Sequence, residues 1–492
     1  MNFVNAMGHT GMTYTENGAI TPANTGNPII DFFFHSAAMR DADETRITDM
    51  WDKAFKEDPQ TALRILFYVR DVRGGQGERR VFRVIAKHML SNNDTLEWLC
   101  YNADLIPKYG RWDDLIYLTY EGQGTKFEEV GISIIDTTLY DDYATVQFNR
   151  SSNVTLLAKW MPSENASSKT TKAMAKYFIK KLFSNPIAYR KTLSTIRKYL
   201  QIVETKLTNK DYASINYATV PSKANLKYRK AFLRNDNERY MEYLDKVSNG
   251  EAKINASTIY PYEIVGKFMS HLTPSKEEAE TLSTLWDNLP DYVDDLNGIV
   301  VADTSGSMWG RPMDVSVSLA MYIAERNKNE AFKDYFISFS GRPTFHKIVG
   351  KNLMERCKSV QLGDVANTNI QAVFEMMLNR AKAYKVPVED MPKFILIVSD
   401  MEFDDCSFNS SFSNFENIRN KYQKSDYPMP TLVFWNVNSR NNHTPVTIND
   451  RGVVLVSGCS PVIMKYALSA CSNLMDIVKN VTESDRYSII TY

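Results

Sequence analysis

The chain has 492 residues, 43% of them hydrophobic and 24% charged, and its formal net charge is zero. That length exceeds what a single hydrophobic core serves, so two or three domains are expected, and the balanced total excludes any argument for nucleic acid or membrane from overall charge. No apolar run approaches the ~18 residues of a membrane span, the amino terminus has no basic-then-apolar leader, and five cysteines without a CxxC pair argue against a zinc site or disulfide framework and for a reducing, cytoplasmic setting.

Residues 1–30 are rich in Gly, Asn and Thr and read as an extended arm. From Asp31 to about His271 the pattern is mostly helical: Leu63, Leu66 and Phe67 share one face, and Leu193, Ile196, Leu200, Val203 and Leu207 form a longer stripe. Breakers at Gly74-Gly75, Pro107, Pro162, Pro186, Pro221 and Pro261 cut this region into short helices. No 20–50-residue repeat is visible, yet many short helices in series suit a helical solenoid or irregular ring. An acidic stretch from Lys276 to Asp295 carries the expected boundary. The division is therefore an arm over 1–30, a helical domain over 31–290 and a second domain over 291–492.

Beyond Leu296 the rhythm changes. Strands are predicted at Gly298–Ala302, Tyr335–Ser340, Thr344–Val349, Phe394–Ser399, Leu432–Trp435 and Val453–Ser457. Helices are predicted at Met313–Asn327, Ile370–Tyr384, Phe415–Tyr422 and Pro461–Val478. Strands alternating with helices imply a mostly parallel, doubly wound α/β sheet covered on both faces. The fold class is thus multidomain, α followed by Rossmann-like α/β.

The sharpest motif is Asp303-Thr-Ser-Gly-Ser-Met308, directly after the first of these strands. Asp303, Ser305 and Ser307 are spaced i, i+2, i+4, and a loop leaving the carboxyl end of a strand can aim such oxygens at one point. In open α/β sheets that crevice is where ligands bind. Carboxylate and hydroxyl oxygens are hard ligands that suit Mg²⁺, Mn²⁺ or Ca²⁺. The stretch Val300–Met308 resembles the metal-ion-dependent adhesion site (MIDAS) of von Willebrand factor A domains. That resemblance implies a Thr from a second loop and an Asp from a third, and Thr368 and Asp400 stand at the matching places. It also implies that Ser305, Ser307 and Thr368 contact the ion, that Asp303 and Asp400 hold its waters, and that one open position accepts an acidic oxygen from a partner protein. Thr368 lacks the family's preceding glycines, and Met401-Glu402 follows Asp400 where a Gly is common. Glu402, Asp404 and Asp405 are further carboxylates expected to tighten cation binding.

Charge is unevenly distributed. Between Lys159 and Arg234 lie seventeen Lys or Arg and three acids, an excess of fourteen positive charges in a neutral chain, which points to a polyanion partner. Lys169, Lys172, Lys176, Lys180 and Lys181 crowd one helix, Arg190, Lys191, Arg197 and Lys198 the next, and Lys227, Arg229 and Lys230 a third. Tyr177, Tyr189, Tyr199, Tyr212, Tyr217 and Tyr228 are interleaved as candidate base-stacking groups. The competing reading is a solvated face whose charges pair with acids elsewhere. Passages at Ala62–Arg80, Leu105–Leu115, Ile215–Ile264, Thr431–Asn438 and Leu455–Ser460 resemble the Ro autoantigen family, in which a TROVE-type ring of HEAT-like helical repeats precedes a von Willebrand factor A domain, and more closely an uncharacterised branch of it. The resemblance implies an RNA-binding ribonucleoprotein scaffold that holds small structured or misfolded RNA; a monomer is expected, and no enzyme, since the metal loops offer no recognisable general base. The alternative is a metal-dependent protein-interaction module without a nucleic-acid role. Arg73–Arg80 is expected to be a helix-to-helix turn capped by Gly74 and not a phosphate loop, and Trp112, Asp113 and Asp114 to pack and cap.

Overall fold

A computed structural model describes residues 11–270, 273–293, 295–339, 341–360, 368–405, 413–467 and 473–492. Two compact units emerge. One comprises the chain up to Val69, Gly74–Glu78 and Asn255–Tyr492; the other comprises Arg70–Arg73 and Arg79–Ile254. This division by compactness falls elsewhere than at residues 30 and 290.

The first unit is built on a six-stranded sheet. Its strands are β3 (Gly298–Asp303), β4 (Tyr335–Phe339), β5 (Thr344–Lys347), β6 (Phe394–Ser399), β7 (Thr431–Asn436) and β8 (Val453–Ser457), in the order β5-β4-β3-β6-β7-β8. Only the β4–β5 hairpin is antiparallel. Every residue of β3 and β8 is buried, as is nearly every residue of β6 and β7. Side chains alternate faces along a strand, so such continuous burial means that both faces are covered. Each fully buried Val, Ile or Leu there contributes about 1.5–3 kcal/mol.

Sequence order runs outward from β3 to β4 and β5, then returns to β6 on the other side of β3. The switch point of the sheet therefore lies between β3 and β6, where Ala302 pairs with Val398. Chains leaving the carboxyl ends of these two strands diverge and open a crevice.

Helix Arg311–Arg326 packs on β3, β4 and β6 and is buried almost throughout from Val315 to Ala324, because helix Pro261–Met269 covers it from outside. Helix Pro28–Ser36 packs against β8. Its run Ile29, Ile30, Phe32, Phe33 and Phe34 is buried on every side, as expected of a helix apolar all round. These two contacts explain why the ends of the predicted helical domain group with the sheet. The amino-terminal segment is not merely extended: β1 (Met12–Tyr14) and β2 (Ile20–Pro22) form an antiparallel hairpin. Residues 1–10 of the expected arm lie outside the described residues. The predicted helix Pro461–Val478 is not continuous, because Asn473, in extended backbone, caps a separate helix Leu474–Thr482 and is matched by Asp476 in a capping box.

The second unit is helical. Its longest element is Lys126–Gln147, and it ends with helices Ser222–Asn235 and Asn237–Ser248. A buried ionic cluster sits among its first helices. Asp114 is fully buried, and its carboxylate receives Arg70 Nε at 2.8 Å, Arg70 Nη2 at 2.7 Å and Arg83 Nε at 2.8 Å. The same carboxylate accepts Arg111 N at 3.0 Å and so caps helix Trp112–Glu121, as the sequence suggests. Gly110 makes room: a Cβ there would stand 2.5 Å from Asp114 Oδ2 and 2.9 Å from a backbone oxygen. Residues 71–78 form the expected helix-to-helix turn, but the left-handed residue is Gly77 (φ 64°), not Gly74.

Candidate metal centre

The motif Asp303–Ser307 leaves β3 at the switch point, and Asp400 leaves β6 beside it. Thr304 anchors the first loop by donating its N–H and hydroxyl to Phe339 O of β4. Ser305 N donates to Asp303 Oδ1 at 2.9 Å, folding the loop back over the strand end. Ser399 donates its hydroxyl to Asp303 Oδ2 at 2.6 Å and receives Met401 N at 3.0 Å. Met401 has φ 69°, so the chain reverses sharply after Asp400 without the glycine usual in the resembling family.

Four of the five nominated ligands come together. Ser305 Oγ and Ser307 Oγ lie 3.2 Å apart, and the Ser307 hydroxyl is among the groups that lower the pKa of Asp400. Two oxygens bound side by side on an octahedral Mg²⁺ at about 2.1 Å are separated by about 3.0 Å, so the hydroxyl pair has the spacing of two such ligands. Thr368 is buried and held to the loop after β6: its N–H donates to Asp404 Oδ2 at 2.8 Å, and its carbonyl accepts Asp404 N at 3.0 Å. Its predecessors Ala366 and Asn367 lie outside the described residues. Among the described residues no group of three or more His, Cys, Asp or Glu is placed to hold a metal. An ion here would rest on hydroxyls, two carboxylates and water, a hard donor set that fits Mg²⁺ or Mn²⁺.

Electrostatics point the same way. Burial and the neighbouring Asp400 both raise the pKa of Asp303. Burial also raises that of Asp400, opposed by Arg440, whose Nη2 lies 3.0 Å from Asp400 Oδ2. Two desolvated carboxylates in one crevice repel, and a divalent cation would relieve that repulsion. Protons compete with the cation for these oxygens, and the raised pKa values bring that competition on early. Mn²⁺ affinity is therefore expected to fall between about pH 8 and about pH 5.5, above the usual carboxylate range near 4. Titrations at the two pH values check this; equal affinity at both would show the pair ionised throughout.

Sequence reasoning missed the groups that tie this crevice together. Ser399 and Arg440 hold the two aspartates. Arg46 donates to the carbonyls of Ser439 and Arg440 at 2.7 and 2.8 Å, to Ser439 Oγ at 2.8 Å, to Asn442 Oδ1 at 2.7 Å and to Asn441 O, so it fixes the loop that carries Arg440. Two of the carboxylates expected to tighten cation binding, Glu402 and Asp404, have other work. Glu402 receives His443 Nε2 at 3.0 Å, Asn441 Nδ2 at 2.8 Å and Glu16 N at 2.8 Å. Burial alone would raise its pKa, but these hydrogen bonds outweigh that and keep it below the usual value. Asp404 serves Thr368, and the backbone N of Asp405 approaches Asn17 O.

The residues nominated for RNA lie in the helical unit. Lys169, Lys172, Lys176 and Lys180 are exposed along helix Lys169–Leu182, whose buried face is Ala175, Phe178 and Ile179. Lys191 and Lys198 are exposed on helix Pro186–Tyr199, and Lys227 and Lys230 on helix Ser222–Asn235. Several nominated residues are engaged within the protein, among them Lys227, whose ammonium lies 4.9 Å from the centroid of the Tyr228 ring. Lys181 pairs with Glu128 at 2.6 Å and Arg190 with Glu164 at 2.7 Å. Arg197 donates to the carbonyls of Ala158 and Met161. Arg229 is buried and donates to Leu226 O. Two of the tyrosines, Tyr189 and Tyr217, are buried core groups and not stacking platforms, and Tyr177 packs edge-on to Tyr120 and bonds Glu128. Tyr199 is half exposed.

The family described as Domain of unknown function (DUF2828) matches residues 15–107 and 135–295, just over half of the chain. The family described as Domain of unknown function (DUF7788) matches residues 297–488. The chain is similar to "Uncharacterized protein L728" of Acanthamoeba polyphaga mimivirus, with 29% identity covering 96% of this chain and 87% of that protein. No solved structure matches it. No helix among the described residues is long and apolar enough to cross a membrane.

Proposed function

The chain belongs to the DUF2828 family, and for it we propose a non-enzymatic, cation-dependent binding protein of Ro-like design. Its α/β part takes Mg²⁺ or Mn²⁺ at the ends of β3 and β6, and its helical part binds RNA through an exposed lysine face. The carrying observation is the meeting of Asp303 and Asp400 at the switch point with the Ser305–Ser307 hydroxyl pair. A von Willebrand factor A-type topology for the sheet, a HEAT-like ring for the helices and a cytoplasmic, monomeric protein are parts of the same proposal. Binding is favoured over catalysis because Glu402, which His443, Asn441 and Glu16 N all engage, is committed to holding loops.

Support for RNA comes from Lys169, Lys172, Lys176, Lys180, Lys191 and Lys198. Among the described residues none of these ammonium groups has a hydrogen-bond or ion-pair partner. A phosphate backbone is the ligand such a row of unpaired cations fits, and each contact releases counterions. The log–log salt dependence is about −0.7 per contact on single strands, so four contacts give a slope of about −3. Replacing Lys169, Lys172, Lys176 and Lys180 with Gln is expected to weaken RNA binding to all sequences and to flatten that slope. Gel-shift titrations at two salt concentrations check this. Unchanged affinity and slope would leave the lysines merely solvated and favour the second reading, a protein-interaction module working through the cation.

A further inference from the structure

The amino-terminal hairpin reaches the candidate metal centre across nearly four hundred residues of sequence. β1 and β2 pair Met12 with Pro22 and Tyr14 with Ile20, and the tip from Thr15 to Ala19 lies along the loop that follows β6. Thr15 donates its hydroxyl to Phe403 O at 2.6 Å, and Glu16 N donates to Glu402 Oε2 at 2.8 Å. Asn17 Nδ2 donates to Glu402 O at 2.6 Å and approaches Thr368 Oγ1, a nominated cation ligand, at 3.4 Å. Gly18 makes an antiparallel bridge to Asp404. The tip thus runs beside residues 402–404 as a docked peptide runs beside a strand edge.

Its side-chain chemistry is that of a ligand. The Glu16 carboxylate receives Arg440 Nη1 at 2.9 Å and Asn441 Nδ2 at 3.1 Å, while Arg440 Nη2 rests on Asp400. One guanidinium therefore joins Glu16 to an aspartate of the centre. Glu16 remains 44% exposed, so it adds no core packing that would explain an acid at the tip. Such partly solvated pairs hold weakly and are exchangeable.

We propose that the Glu16–Asn17 tip is a built-in ligand of the face beside the cation, and that an extended protein segment presenting a carboxylate docks there by displacing it. The inference rests on the cation reading for the identity of the centre. Tethering explains why weak contacts suffice: a short linker supplies an effective concentration on the order of millimolar, which a free partner must exceed or outbind.

The test uses the full chain, the full chain with Glu16→Ala and Asn17→Ala, and a fluorescent peptide copying Met12–Pro22. In Mn²⁺ the peptide is expected to bind the double variant at least about tenfold more tightly than the parent, since tethering no longer competes. A peptide with its own glutamate changed to Gln is expected to bind the variant more weakly. Amide exchange at Thr15–Gly18 of the parent should accelerate when the peptide is added in excess, a readout independent of the variant's folding. Equal peptide binding to both chains, or none with unprotected exchange unchanged, overturns the proposal. Mn²⁺ affinity measured on the same samples separates the two levels: retained affinity confines that failure to the hairpin, whereas absent affinity in the parent removes the cation reading beneath it.

Discussion

The Asp303→Ala, Ser305→Ala double variant is expected to bind Mn²⁺ at least about a hundredfold more weakly than the parent, a loss of about 2.7 kcal/mol. Asp303 organises its loop through Ser305 N and Ser399, and Ser305 is half of the 3.2 Å hydroxyl pair. Removing both takes away a donor and the frame that aims the other. The fold is not expected to suffer in proportion. Burial and Asp400 already oppose the ionised form of Asp303, so in cation-free buffer the single change Asp303→Asn should leave thermal stability unchanged or higher. Sites built for a ligand commonly carry such a cost. Calorimetric Mn²⁺ titration with parallel melting curves checks both statements; unchanged Mn²⁺ affinity in the double variant would contradict the assignment of ligands.

The second large effect concerns folding of the helical unit. Asp114→Ala leaves Arg70, only 2% exposed, without its carboxylate and removes the cap of helix Trp112–Glu121. An uncompensated buried charge costs about 3–5 kcal/mol, a large share of the stability of an ordinary domain. The urea transition of the helical signal is expected to move to markedly lower denaturant. Asp114→Asn keeps an acceptor and should lie between the two. A parent-like midpoint for Asp114→Ala would show that Arg70 finds another partner or solvent.

The α/β part was largely legible in the sequence because its strands are short apolar runs punctuated by polar loops. β6 and β8 fall on the predicted residues, and the others differ by a few positions at their ends. Asp303 and Asp400 were legible for the same reason, as acidic residues at the carboxyl ends of buried strands. Ser399, Arg440 and Asn17 were not, because their meaning lies in contacts between segments far apart in sequence. No local pattern announces that Arg46 fixes the loop at Ser439–Asn442.

The lysine face shows a different limit. Net charge located the segment, but helix phase decides which charges reach solvent. Leu226, Arg229 and Phe232 recur every three residues on one helix face, and all three are buried. Tyr189, Leu193 and Ile196 likewise form the buried stripe of their helix. That spacing was present in the sequence and marks these residues as inward-facing. The boundary between units had a weaker signal. Helix Pro28–Ser36, apolar on all sides, needs cover on all sides, and the sheet at β8 supplies part of it.

The most direct test is a crystal of the full chain grown with Mn²⁺ and measured for anomalous scattering at the manganese edge. The account predicts one strong peak in the crevice between β3 and β6, within about 2.0–2.3 Å of Ser305 Oγ and Ser307 Oγ, with Asp303 and Asp400 around it and Thr368 drawn toward it. A map with no peak in that crevice at saturating Mn²⁺, or with the guanidinium of Arg440 still resting on Asp400 and manganese bound elsewhere, would contradict it.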